Sequence, residues 1–522
     1  MHEHTKFSIP TIRNFVPEKI KPWILIIFVI VFQFSGGVYL AAVSEMVGSL
    51  ALMQEDIQMA GYASMVGMAL NFSIIFRLKF RFTSKWILIS CSLVLIACNF
   101  ICMHASSVPL LVAICFIAGF FRMWATFECN SIIQLWITPT RDLSVFFCYI
   151  YLIVQGCIQF SGLTTIYTAF LAKWEYMHLI SVALLGLLLL VVVICFRTSR
   201  VIKKLPLYGI DWLGGLLWGL TGLSAIFVCV YGEYYDWFDS PHICAATLAF
   251  AVMLALNIWR ASFIRHPYIS LKTWRFPIVY LTFAAYMAVY LLLSPSHLFE
   301  HIFMEQTLGY DTLNLISLNW VALLGIAAGA FFTWRTFAVR KWQYKTMNVI
   351  GISAIIAHLV IFYFTIDYNL SKEMLILPIF LRTFGYVIIG VCFLTSLTRV
   401  PFQYFPQALT IQNFVGASFG SALGTAVLAR FLKIATQWNS LYFNANFDNV
   451  NPIAQQSSPA DIYAAIQQQA MLVSMKDLYG WLAIFGIICL LLFLANASDL
   501  RPKYVIQPTF KAIRKLAGRR EL

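Results

Sequence analysis

The chain has 522 residues, of which 61% are hydrophobic, 16% aromatic and 11% charged. Soluble domains carry about 25% charged residues, so this composition excludes a water-soluble globular protein and points to a polytopic membrane protein. The net charge of +14 raises nucleic acid as a partner, but the bases stand in short runs between apolar stretches, with no continuous basic domain and no aromatic-basic reading motif, and nucleic acid is excluded on that pattern. The twelve cysteines lie almost entirely inside apolar stretches and form no C-x-x-C pair. They read as small packing residues rather than as a zinc or redox site, so no metal and no cofactor are expected.

Runs of about 20 apolar residues, enough to cross roughly 30 Å of hydrocarbon, recur along the whole chain. Fourteen can be placed, starting near Trp23, Tyr62, Trp86, Pro109, Leu143, Tyr176, Ile210, Pro241, Pro277, Leu313, Met347, Glu373, Tyr404 and Tyr479. The first follows a basic stretch (Arg13, Lys19, Lys21) but is long for a signal peptide and reads as a retained helix. Lys and Arg concentrate on the cytoplasmic side of membrane helices. With both termini placed there, Arg77, Lys79, Arg81, Lys85, Arg141, Arg197, Arg200, Lys203, Lys204, Arg260, Arg265, Lys272, Arg275, Arg335, Arg340, Lys341, Lys345 and Arg399 fall on one side, together with both basic tails. The opposite loops hold Glu55, Asp56, Glu175, Glu233, Asp236, Asp239, Asp311, Asp367, Asp448 and Asp461 and few bases. The expected fold class is therefore all-α and polytopic, with 14 transmembrane helices and both termini cytoplasmic. The one long break, residues 437–477, falls outside; its QWNSLYF and DIYAAIQQQAML stretches are candidates for short amphipathic helices.

Charged residues inside such helices are costly and mark pathways or partners. The stretch Pro109 to Trp136 carries Arg122 and Glu128. Six residues correspond to roughly 240° around a helix, so the two do not share a face and are not an intrahelical pair. The ninth run ends in SPSHLFEHIFMEQ, with His297, Glu300, His301 and Glu305. His297 and His301 are i and i+4, Glu300 lies beside them, and Ser294 and Pro295 interrupt the helix just before. The string also fits H-x-x-E-H, an inverted zinc-peptidase pattern, but two ligands and a base are a weak signal beside fourteen spans. A protonatable or solute-contacting patch and a plain polar helix end are both stronger readings. Arg382 on the twelfth run is a further buried base, with Gln412 and Asn413 as its hydrogen-bonding candidates, while Gly416, Gly420 and Gly424 form a four-residue repeat that lets two helices approach closely. No G-x-x-x-x-G-K-[ST] string offers a handle for ATP.

Weak internal repetition links FRLKFRFTSKW after the second run with TWRTFAVRKWQYK after the tenth, and repeated halves are how many secondary transporters are built. Over nearly the whole length the chain resembles the 14-spanner drug:proton antiporters of the major facilitator superfamily, the QacA/EmrB-like branch. LAKWEYMHLISV resembles that branch's Trp-Arg-Trp turn, GIDWLGGLLWGLTGL its Asp-Trp-Leu-Gly segment, IRHPYISLKTW the exit from its central helices, EQTLGYDTL its Gln-x-x-x-Gly-Tyr segment and IQNFVGASFGSALGTAV its glycine-rich thirteenth helix. The loop after the second run departs from the family, with Phe76, Leu78, Phe80, Arg81, Thr83 and Lys85 at the signature places, and Cys115, Ala118 and Gly119 stand where the fourth helix has Arg-x-x-Gln-Gly.

The resemblance implies a major facilitator fold of 6+2+6 helices: a six-helix bundle over residues 1–200, two central helices with linkers over 201–275, and a second bundle over 276–522. It implies a secondary active transporter, not an enzyme, coupling proton movement to efflux of drugs or other amphipathic small molecules through a bacterial inner membrane, with a periplasmic adaptor protein and an outer-membrane channel as partners beyond the lipid bilayer. Arg122 then stands as a displaced substitute for the family's arginine. An importer of a small nutrient shares the fold, and a non-transporting receptor or scaffold tolerates degenerate motifs but has no need of charges within helices 4, 9 and 12.

Overall fold

The computed structural model describes residues 11–36, 52–105, 107–138, 142–198, 207–367, 370–445 and 458–496, with Tyr39, Val43, Met46 and Val47 between the first two stretches. Thirteen helices are long and apolar enough to cross a membrane: α2 (Gln54–Arg81), α3 (Ser84–His104), α4 (Val108–Ile137), α5 (Leu143–Leu171), α6 (Tyr176–Cys195), α7 (Trp212–Tyr231), α8 (Pro241–Phe263), α9 (Pro277–Glu305), α10 (Thr312–Val339), α11 (Tyr344–Thr365), α12 (Lys372–Leu397), α13 (Phe405–Ala445) and α14 (Pro459–Asn496). A shorter apolar helix, α1 (Lys21–Phe34), precedes them. The chain is thus an all-helical, multi-pass membrane protein, and its described residues contain no strand beyond an isolated bridge between Ile12 and Phe196. Both chain ends lie outside the described residues.

Local chemistry sets the helix ends. Pro277 and Pro241 occupy first-turn positions, where their missing N–H costs nothing. Asp142, Asp211 and Ser240 cap α5, α7 and α8 by accepting bonds from Ser144, Gly214 and His242. Ser294 and Pro295 mark a turn inside α9, where the Ser294 hydroxyl bonds back to Tyr290. Three π-helical segments follow: Phe303–Thr307 in α9, Trp334–Val339 in α10 and Phe414–Phe419 in α13. Such segments often accompany functional sites. The two amphipathic stretches expected between the last spans are not separate helices. QWNSLYF is the end of α13 and DIYAAIQQQAML the beginning of α14, because neither contains a residue that would stop the adjoining helix.

Packing follows a repeated scheme. In the first group α2 packs on α4, α3 on α4 and α6, and α1 on α4 and α5; in the last, α10 packs on α12, α11 on α12 and α14, and α9 on α13. The two groups meet where α5 crosses α10 and α12 and where α2 crosses α13. Helices α7 and α8 pair with each other, and α7 lies against α2 and α13. The α2–α4 crossing is close enough that a Cβ on Gly67 would strike the Phe116 carbonyl and one on Gly119 the Ser64 carbonyl. Small residues give buried membrane helices this approach. Gly416, Gly420 and Gly424 face α9 at Tyr290 and Ser294.

Candidate functional site

The side on which α1, α3, α5 and α11 begin is the near face; the opposite side is the far face. Between the two helix groups, at mid-depth, runs a seam of hydroxyls. Tyr151 on α5 lies 3.1 Å, oxygen to oxygen, from Tyr286 on α9. Gln155, one turn further along α5, donates to the Tyr386 hydroxyl on α12 at 3.3 Å, and Tyr386 in turn lies 2.9 Å from Tyr290 on α9. Tyr286 and Tyr290 stack on one another. Two further bonds tie α2 to α13: Tyr62 to Ser421 at 3.4 Å and Ser73 to Thr410 at 2.8 Å. Tyrosine suits this position because its ring packs while its hydroxyl bonds across the gap.

The seam is also closed at the near face. Lys341, in the α10–α11 connection, is ion-paired with Asp142 at the start of α5. Phe76 of α2 packs edge-on against Phe402, just before α13, and Gln407 accepts bonds from Ser270 and Thr273 at 3.0 and 2.8 Å.

On the last group, Arg382 donates from Nη1 to Glu300 at 2.6 Å. Glu300 is 4% exposed. His358 on α11 is fully buried and brings Nε2 to 3.5 Å from the same carboxylate oxygen, outside hydrogen-bond alignment. Its Nδ1 is 3.1 Å from the Pro378 carbonyl. A carbonyl only accepts, so Nδ1 carries a hydrogen, and in the neutral ring Nε2 then presents a lone pair towards the carboxylate. One added proton on either group would convert this opposition into a bond. Tyr479 of α14 stacks on Phe362 and meets Phe299 edge-on, covering the cluster's surroundings with aromatic rings.

In the first group, Glu128 is 1% exposed and accepts from Ser84 at 2.6 Å and from Lys79 at 3.4 Å; Lys79 also bonds Ser131. These partners come from the end of α2 and the start of α3, so Glu128 ties the near-face turn to α4. Arg122 points elsewhere. Its Nη2 touches the Met68 sulfur, a Cβ on Gly36 would overlap its guanidinium, and its Nε has no hydrogen-bond partner among the described residues. One turn on, Thr126 accepts from Gln33 at 2.9 Å.

The candidates from sequence are thus distributed rather than gathered. Glu300 and Arg382 form one cluster with His358; Arg122 and Glu128 sit on different faces of α4 with separate surroundings. Asn413 bonds the Leu409 carbonyl of its own helix at 2.9 Å, and Arg382 takes Glu300 rather than Asn413 as its partner. Glu305 is half-buried on a π-helical segment. The side chains of His297 and His301 lie outside the described residues, and with them the H-x-x-E-H zinc pattern. His358, Tyr151, Gln155, Tyr290 and Tyr386 were not singled out from sequence, although a lone histidine in an apolar span and tyrosines at 286 and 290 were visible signals.

This architecture, two helix groups of matching packing joined along a polar seam, is a fold shared with solved membrane transporters. No family model and no curated protein matches the sequence. Among solved structures, the chain is similar to the peptide transporter POT in complex with sulfate, at 14% identity over 95% of this chain and 98% of that one, with a TM-score of 0.59. It is similar to an auto-inhibited POT family peptide transporter at 13% identity, 94% and 99% coverage and a TM-score of 0.58, and to the nucleoside transporter NupG at 13% identity, 91% and 99% coverage and a TM-score of 0.52. These likenesses concern the fold.

Proposed function

We propose that the protein is a secondary active transporter that moves a small amphipathic solute by alternating access and couples that movement to protons. Residues 1–200 and 276–522 act as the two rocking bundles about the tyrosine seam, with 201–275 as the pair of helices between them. The observation that carries proton coupling is the buried Glu300, held by Arg382 and approached to 3.5 Å by His358 Nε2. A proton arriving there gives Glu300 and His358 a shared bond and weakens the hold of Arg382, which changes the charge balance inside the last group. Alternating access needs such a switch near a seam whose bonds can break one side at a time.

Export of drugs or other amphipathic compounds from a bacterial cytoplasm, with an adaptor and an outer-membrane channel, is the direction implied by the resemblance to the drug antiporter branch. Uptake of a small nutrient fits the fold at least as well, since structures similar to this one include peptide and nucleoside transporters. A buried ion cluster and a hydroxyl seam favour either over a non-transporting scaffold. The test is flux of a compound panel in proteoliposomes under an imposed pH gradient, for wild type and Glu300→Gln. Flux of wild type that ignores the gradient would refute proton coupling, and accumulation in cells with and without the protein assigns direction.

A further inference from the structure

The buried acids of the described residues are all engaged. Asp56 accepts from the Tyr231 hydroxyl and the Met53 amide, Glu128 from Lys79 and Ser84, Asp142 from Lys341 and Ser144, Asp211 from Arg260, and Glu300 from Arg382. Arg122 has none of them. It sits at the middle of α4, is 7% exposed, and is surrounded by Met68 and Gly36, with its Nε unsatisfied. A guanidinium stays charged at any physiological pH, so it cannot escape this position by losing a proton. A guanidinium with no counter-ion among the described residues, at the middle of a membrane-spanning helix, is costly to keep and marks a place where a partner from outside can bind.

We propose that Arg122 is the binding point for the negatively charged group of the transported solute, a carboxylate carried by an otherwise apolar molecule. The inference rests on the transport reading above. A carboxylate is the natural match because guanidinium presents paired N–H donors to two oxygens in one plane. Thr126 and Asn130 follow Arg122 at i+4 and i+8, on one face of α4. Thr126 already bonds Gln33, and the Asn130 carbonyl oxygen is buried with no hydrogen-bond partner among the described residues. The polar face therefore continues past Arg122 and offers hydrogen bonds to groups adjoining the carboxylate, while Gly36, just beyond α1, sets no side chain against the guanidinium.

The experiment uses full-length protein and matched pairs of compounds, amphipathic N-dansyl amino acids and their methyl esters, with ligand-induced melting shifts and proteoliposome flux as separate readouts. Wild type should favour the acids over the esters by about tenfold or more in apparent affinity, the scale of one charge-assisted pair. Arg122→Gln should abolish that preference, and Arg122→Lys should keep part of it. Without ligand, Arg122→Gln should melt no lower than wild type, because no acid among the described residues loses its partner. A large drop in melting temperature would mark Arg122 as a structural strut and overturn the assignment, as would acids and esters that act equally, or not at all, on wild type. Acids that bind through Arg122 but are not moved under any gradient would refute transport and leave the site; flux without acid preference would do the reverse.

Discussion

Arg382 on α12 holds Glu300 on α9 at 2.6 Å, and His358 of α11 looks onto the same oxygen from 3.5 Å. Three helices of one bundle thus converge on a single carboxylate. Removing one partner of a buried ion pair leaves an uncompensated charge and costs about 3–5 kcal/mol, whereas replacing both is often close to neutral. Arg382→Gln alone should therefore lower the melting temperature markedly, and Glu300→Gln with Arg382→Gln should recover most of the loss. Both variants should lose gradient-driven accumulation. A double variant as unstable as the single one would show that the pair does not act as a unit.

Lys341 and Asp142 join the two groups at the near face. Asp142 is buried and Lys341 only partly exposed, and a hydrogen bond to a charged group contributes about 1.5–3 kcal/mol, enough to shift an open-closed balance by about tenfold or more. Asp142→Asn should therefore speed maleimide labelling of a cysteine placed at Ser73, which faces Thr410 across the same seam, by about that factor. Lys341→Gln should raise the rate as well, since it removes the same pair from the other side and leaves the α5 cap in place. Labelling insensitive to both changes would mean that this pair does not hold the face closed.

Much of the fold was legible because hydrophobic length is a strong signal in a membrane protein: each of the runs begun at Tyr62 to Tyr479 corresponds to a long helix, and the first to the shorter α1. Side-chain partnerships were not legible. Spacing alone separated Arg122 from Glu128, but it could not bring Glu128 to Lys79 and Ser84, since those contacts depend on how α2, α3 and α4 cross. His358 was hidden for the same reason. It becomes meaningful only when α11 is set against α9 and α12. The stretches QWNSLYF and DIYAAIQQQAML read as candidates for short amphipathic helices because polarity marks where lipid ends, whereas helix continuity depends on the absence of a breaker.

Glu128 is the acid whose role the geometry changes most. A carboxylate that accepts from Ser84 and Lys79 at the junction of α2 and α3 acts as an anchor for that turn. Hydrogen bonds to charged groups contribute about 1.5–3 kcal/mol. Glu128→Gln should thus lower the melting temperature by a few degrees and leave the pH dependence of flux unchanged. A shifted pH profile with an unaltered melting temperature would return Glu128 to a role in proton movement.

Tyr386 bonds Gln155 of the opposite group and Tyr290 of its own through one hydroxyl. Tyr386→Phe removes both bonds and keeps the ring. The residues it leaves behind are half-buried rather than sealed, so water can replace the lost partner and the cost to stability should stay near about 1 kcal/mol. Flux should respond more strongly, because a bond across the seam contributes only in the states where the seam is closed, and losing it changes their relative populations. Tyr151→Phe, which removes the bond to Tyr286, should shift flux in the same direction. The combined variant should change flux by less than the product of the two single effects, since both hydroxyls belong to one network linking α5 to α9 and α12. Single variants that slow transport only as far as they lower the melting temperature would mark the tyrosines as packing residues, with no part in setting the balance between states.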